Sequence, residues 1–400
     1  MNLPNWILND LRFSCYFKEN NTETEESAEI AFFFKRDFEK YTTSKLFFCE
    51  TSLSTIQTIH RIKTGEYGII WDERFFHLYE KAVICAMAPS ETNSFDDLKY
   101  LLKKNIFLTT AERLLYNKPM YAYAAINIFE QTEGESKQRN VKVENLERHC
   151  IIMKFFKWWT FFHEIGHELV NKAPHLVADF DNKLSFAIKI SDSLDENTKS
   201  KNDDTNIFRT KLKEAGIIQS HEKRILDIKN SLTDVVAKEE VWCDIFAIEQ
   251  MVKNAHDYAY DPKDIYLVLM LNYYITVLLH NTQYYFDFSK NEENYINQEK
   301  YVKEQAMRAD LRVMYLSAML SELYIKGTDL NIEEFDNKCI GSHYPILYRF
   351  TELEEDILQI TNNLELRKHL IEGTSSFDEL SKDMQIELKQ NLSTFLGWSN

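Results

Sequence analysis

His163-Glu164-Ile165-Gly166-His167 lies in an apolar run and sets two imidazoles four residues apart. On a helix that spacing projects both rings from one face, where they can share one metal ion. Glu164, one step around, is placed to reach a water on that ion. Two neutral imidazoles and a carboxylate beside an acidified water form the core of a zinc hydrolase site. Short patterns also recur by accident, but the flanks weigh against accident here. Phe155, Phe156, Trp158, Trp159, Phe161, Phe162, Leu169 and Val170 predict a buried helix, where two histidines and a glutamate are unfavourable without partners. Gly166 sits mid-helix, which costs about 1 kcal/mol relative to alanine, so another element is expected to pack close to it.

A catalytic zinc takes three protein ligands and keeps one position open. One class of such enzymes draws its third ligand from a histidine six residues after the second, with a glycine between. This chain has Ala173 and Val170 at those places, which excludes that class. His175, across Pro174, reads as a loop histidine. The better candidate lies in Lys238-Glu239-Glu240-Val241-Trp242-Cys243-Asp244-Ile245-Phe246-Ala247. Read as a helix, Glu240, Cys243, Asp244 and Ala247 share one stripe. Glu240 is then the third ligand, and Asp244, one turn on, can accept the free ring N–H of a metal-bound histidine. Cys243 and Ala247 are small enough to let this helix approach Gly166. Glu239 is the rival ligand, although its i+4 partner is Cys243, which offers no carboxylate. An amphipathic acidic helix with a solvated face explains Lys238 and Glu239 well, and explains an acidic pair beside Trp242, Ile245 and Phe246 less well.

The order H-E-x-x-H, then Glu240-x-x-Cys243-Asp244-x-x-Ala247, then His343-Tyr344-Pro345-x-x-x-Arg349 resembles the glutamate-type zincins, or gluzincins. The last two islands are similar to those of HtpX-like and CAAX-protease-like metallopeptidases, with Cys243 in place of the usual alanine and Tyr344 in place of the first proline. The resemblance covers three short islands. It implies a zinc cofactor, a zincin-like core and His343 and Arg349 at the active site, where either would be a second donor to the oxyanion, with Tyr344 behind them. Membrane members of that group carry several transmembrane helices. The most apolar stretch here, Ile265 to Leu279, is fifteen residues long and holds Asn272 and Thr276, which is short of the roughly 18–20 residues a span needs. A buried core helix is expected instead, and no membrane span. A soluble architecture and the position of the motif are similar to the cytoplasmic phage-exclusion peptidases of the Lit type. That resemblance implies a latent defence or toxin-type protease with an antiviral role, which cleaves a host protein once a trigger protein activates it.

Composition bounds the partners. A net charge of −16 disfavours nucleic acid, because phosphate binding needs a basic surface. The six cysteines (Cys15, Cys49, Cys85, Cys150, Cys243, Cys339) are scattered without a C-x-x-C pair, as expected of reduced core thiols. The segment Met1 to Cys15 shows no basic stretch followed by an apolar core, which leaves the cytoplasm as the expected compartment.

Only nine glycines and six prolines among 400 residues argue for a helix-rich α+β chain. Residues 1–110 read as an N-terminal α/β region, with β-rich runs at Ala31 to Phe34 and Lys45 to Glu50. A buried strand is expected at Tyr67 to Trp71, followed by a helix that Asp72 can cap. Residues 111–355 read as the zincin-like core, with an insertion at about 176–236, and 356–400 as a C-terminal helical segment packed on it. Tyr121 to Phe129 is the expected strand upstream of the metal helix, and either an ordinary internal strand or the edge strand on which a substrate backbone pairs. One long helix is expected from Asn145 to about Lys172. Further helices are expected at about Lys263 to Asn281, Glu299 to Ile325, Thr351 to Leu370 and Phe377 to Phe395. The polar stretch 192–205 reads as a plain surface loop, with a lid or autoinhibitory segment as the alternative.

The reading is a zinc endopeptidase acting on a protein or peptide. His163, His167 and Glu240 hold the metal, Asp244 orients a ligand, and Glu164 is the general base. A catalytically inactive, zinc-braced interaction or regulatory protein is the alternative, and a metal-free helical interaction protein is a third class.

Overall fold

The computed structural model describes residues 42–51, 58–61, 65–87, 95–115, 145–172, 235–257 and 264–272, together with the isolated positions 39, 125–126, 182–183, 185, 261, 275, 278–279, 282, 353 and 356. Within them the chain is helix-rich, with one small sheet. Three strands, β1 (Lys45–Thr51), β2 (Thr58–Arg61) and β3 (Glu66–Asp72), form that sheet in the order β1-β3-β2. β3 is central. It runs parallel to β1, with Lys45 opposite Glu66 and Thr51 opposite Asp72, and antiparallel to β2, with His60 opposite Gly68. The β-branched and aromatic content of KLFFCET and EYGIIWD suits a pleated, covered surface. Tyr67 and Ile69, two apart and so on one face, are 1% and 0% exposed. Gly65 turns the chain into β3 at φ 78°, a backbone conformation that suits glycine best, and its carbonyl accepts a 2.7 Å bond from the amide of Lys45. β2 was not foreseen, because a run as short as the four residues TIHR carries too little periodicity to read.

Helix α1 (Glu73–Met87) starts directly after Asp72, the place where a side-chain oxygen can cap orphan amides. It buries Phe76, Tyr79 and Val83 along one stripe, with Leu78, Ala82 and Cys85 beside them. α2 (Phe95–Leu115) buries Tyr100, Ile106, Phe107 and Ala111. Its Lys99 and Lys103 lie 3.5 and 3.7 Å from the Asp356 carboxylate. Leu353 and Asp356 are helical, in accord with the helix expected from Thr351. The other C-terminal helices, and the β-rich run at Ala31 to Phe34, lie outside the described residues.

α3 (Leu146–Lys172) and α4 (Val235–Asp257) carry the chemistry. The 27 residues of α3 match the long helix expected from Asn145. From Phe155 to Leu169 its apolar side chains are buried nearly all the way round, as in a core helix rather than a surface one. α4 likewise buries Val241, Trp242, Cys243, Ile245, Phe246, Ala247, Ile248 and Met251. The helical run 264–272 fits the expected core helix, with Ile265 through Leu271 all buried. Asp264 at its start accepts a 2.8 Å bond from Nε of Arg148 in the first turn of α3. No helix among the described residues is long and apolar enough to cross a membrane.

The strand expected at Tyr121 to Phe129 needs correction. Its two described residues, Ala125 and Ile126, are helical and buried, at 0% and 5% exposure; the rest lie outside the described residues. The Tyr-Ala-Tyr-Ala-Ala-Ile pattern has no polar face, so its alternation does not separate strand from helix, and alanine is the strongest helix former. The chain forms two compact units. One holds the sheet, α3 and α4; the other holds α2 and nearly all of α1.

Candidate metal centre

α3 supplies His163 and His167 from one face, and α4 supplies Glu240. Their ligand atoms all lie within 4.8 Å of one another. Nε2 of His163 stands 3.2 Å from one Glu240 carboxylate oxygen, and Nε2 of His167 stands 3.4 Å from the other. Ligand atoms held about 2.1 Å from a tetrahedral ion are about 3.4 Å apart along each edge. The spacing therefore fits a small divalent cation, and the N, N, O donor set suits zinc. The two rings are edge-to-face with centroids 5.1 Å apart, and the Trp159 indole lies 5.3 Å from the His163 ring.

The other ring nitrogens are taken. Nδ1 of His163 is 2.8 Å from Oδ1 of Asp244, and Nδ1 of His167 is 2.9 Å from Oε1 of Glu239. An ionised carboxylate only accepts, so each Nδ1 carries the proton and donates. Nε2 of each ring faces Glu240, and on His163 it donates to that carboxylate until a metal ion displaces its proton. Asp244, 1% exposed, occupies the orienting place read from the sequence. Glu239, the rival ligand, instead holds the second histidine. That role was missed. The signal was available, because a second imidazole needs its own acceptor and Glu239 is the adjacent carboxylate.

Why the two helices meet here is visible at Gly166. A Cβ built on it would lie 3.0 Å from Cα and Sγ of Cys243 and 3.1 Å from its Cβ. Any side chain at 166 would push α4 away from the histidines. Burial first, then the carboxylates of Glu240, Asp244, Glu164 and Glu239, push the Cys243 thiol well above its usual range. It is a neutral spacer rather than a thiolate ligand.

The sheet side of α3 is also tied down. Tyr67 of β3 donates a 2.8 Å bond to the backbone carbonyl of Glu164, using the lone pair left over by the helical bond. Ser44, just before β1, donates a 2.8 Å bond to Oε1 of the buried Glu168. Among the described residues, the strand tied to the motif helix is β3. Glu164 is 8% exposed, and its charge is felt at Cys243.

Electrostatics favour a cation. Burial by itself would lower the His163 pKa, but the Asp244 and Glu240 carboxylates outweigh it and hold the imidazole up to about 10. A site that stabilises one positive charge so strongly is suited to a divalent ion. His343, Arg349, Tyr344, His175 and the 192–205 loop lie outside the described residues. No known protein family, curated protein or solved structure matches the chain.

Proposed function

We propose that the protein is a zinc-dependent endopeptidase of the gluzincin type. One observation carries the reading: two histidines one helical turn apart on α3 turn their Nε2 atoms to one carboxylate on α4, while separate carboxylates hold both Nδ1 atoms. A structural brace needs the ligands; an H-E-x-x-H pair with a buried glutamate between the ligands is what hydrolysis also needs.

His163, His167 and Glu240 would hold the ion. Zinc bound there supplies a Lewis acid and acidifies water to a pKa of about 7. Glu164 accepts the proton of the attacking water and passes it to the leaving amine. Asp244 keeps the His163 imidazole in the tautomer that binds metal. His343 or Arg349 donates to the oxyanion that develops on the scissile carbonyl, as the motif order implies. The substrate is a protein or peptide. A cytoplasmic, trigger-activated defence role follows from the likeness to phage-exclusion peptidases and belongs to the same proposal.

Elemental mass spectrometry of the purified chain tests it. About one zinc per chain is expected, lost in both His163→Ala and Glu240→Ala. Glu164→Gln should keep the zinc and lose peptide cleavage by at least about a hundredfold, the scale of a general base. Normal cleavage by Glu164→Gln would overturn the mechanism. Zinc-dependent folding with no cleavage of any peptide library would favour the zinc-braced interaction protein, and a metal-free wild type would favour the helical interaction protein.

A further inference from the structure

We propose that Glu239 is a positioning residue for the metal centre: its carboxylate holds the His167 ring with Nδ1 protonated and Nε2 presented to the ion. The inference rests on the metal site proposed above and extends it to a residue that no motif assigns.

The geometry is specific. His163 and His167 leave α3 one turn apart, and each meets a different acid of α4. Asp244 lies one turn beyond Glu240, and Glu239 lies one residue before it. Neighbouring residues on a helix point about 100° apart, so Glu239 and Glu240 leave α4 in different directions. They divide between the two nitrogens of one ring. Glu240 lies 3.4 Å from Nε2 of His167 and Glu239 lies 2.9 Å from its Nδ1. The ring is clamped between consecutive side chains of one helix, which fixes both its rotation and its tautomer.

His167 needs that clamp more than His163 does. His163 is packed against Trp159, and its side chain is 7% exposed. The His167 side chain is 24% exposed, so packing restrains it less. Without Glu239 the ring could turn its other nitrogen to the ion or leave it for water, and loss of such an orienting partner typically weakens metal binding 10–100-fold.

Two measurements on the full chain decide the matter. The first is the zinc dissociation constant, by chelator competition, for wild type, Glu239→Ala and Glu239→Gln. Glu239→Ala should bind zinc 10–100-fold more weakly. Glu239→Gln keeps an acceptor oxygen and should recover most of that loss. Unchanged affinity in Glu239→Ala would overturn the proposal. So would equal losses in the two variants, since charge alone would then be acting. The second needs no variant and covers the case in which Glu239→Ala does not fold. Histidine-selective 15N NMR of the zinc-loaded wild type should show His167 protonated at Nδ1 and metallated at Nε2, and metallation at Nδ1 would overturn the assignment. A wild type that binds no zinc would instead remove the underlying metal site, a result distinct from either.

Discussion

At the scale of single residues, the site is a competition between a proton and a metal ion for the same imidazole. Asp244 and Glu240 raise His163 to about 10 against its ordinary 6.5. A group whose folded pKa lies above its unfolded value stabilises the fold fully below the unfolded value, and that stability is lost as pH rises through the folded one. Metal-free protein should therefore lose stability between pH 6.5 and about 10, and Asp244→Asn should flatten that slope. Thermal melts in chelator across this range check it, and a slope unchanged in Asp244→Asn would remove Asp244 as the cause. Zinc binding has the opposite dependence. It must displace the His163 proton, so affinity should rise with pH over the same window.

The elements matter because α3 and α4 have to come close enough for side chains of both to reach one ion. Gly166 sets that distance. Gly166→Ala would gain about 1 kcal/mol of helix propensity, yet its Cβ would meet the Cα of Cys243 at 3.0 Å, and backbone cannot swing aside as a side-chain tip can. Overpacking of this kind loses about 1–3 kcal/mol. The expected result is a lower denaturant midpoint together with weaker zinc binding, although no ligand has changed. Wild-type zinc affinity in Gly166→Ala would show that the helices can part without disturbing the site. Tyr67→Phe probes the sheet side. Losing the bond to the Glu164 carbonyl should cost about 1 kcal/mol, read as a shift in the same unfolding curve, with zinc content unchanged.

For the molecule as a whole, metal and fold should be linked. A ligand that binds only the folded chain stabilises it by about 4 kcal/mol at a thousandfold excess over its dissociation constant. Chelation should lower the melting temperature of the wild type, and added zinc should restore it; Glu240→Ala should respond to neither. Zinc addition that leaves the wild-type melt unmoved would count against a metal held between α3 and α4. The unit that carries the metal centre takes its sheet from one stretch of chain and α3 and α4 from another, so removal of one ligand helix should be felt across that unit.

The sequence carried what is local. An i, i+4 histidine pair on an apolar helix states its own geometry, because 3.6 residues per turn put both rings on one face whatever surrounds them. The same holds for the extent of α3, the runs that became β1 and β3, and the buried segment after Asp264. Gly166 and Cys243 were readable as a close contact, since small residues in two core helices have few other reasons to be there. Tertiary structure decided what depends on how one element is turned against another. Glu239 and Glu240 are neighbours that differ by about 100° on the helix, and only the rotation of α4 against α3 gives the Nε2 atoms to one and Nδ1 of His167 to the other. Ala125 and Ile126 became helical because an all-apolar alternating run has no period of its own to defend. β3 is tied to the motif because a tyrosine hydroxyl at 67 reaches a spare carbonyl lone pair at 164, a long-range contact that no window along the chain contains.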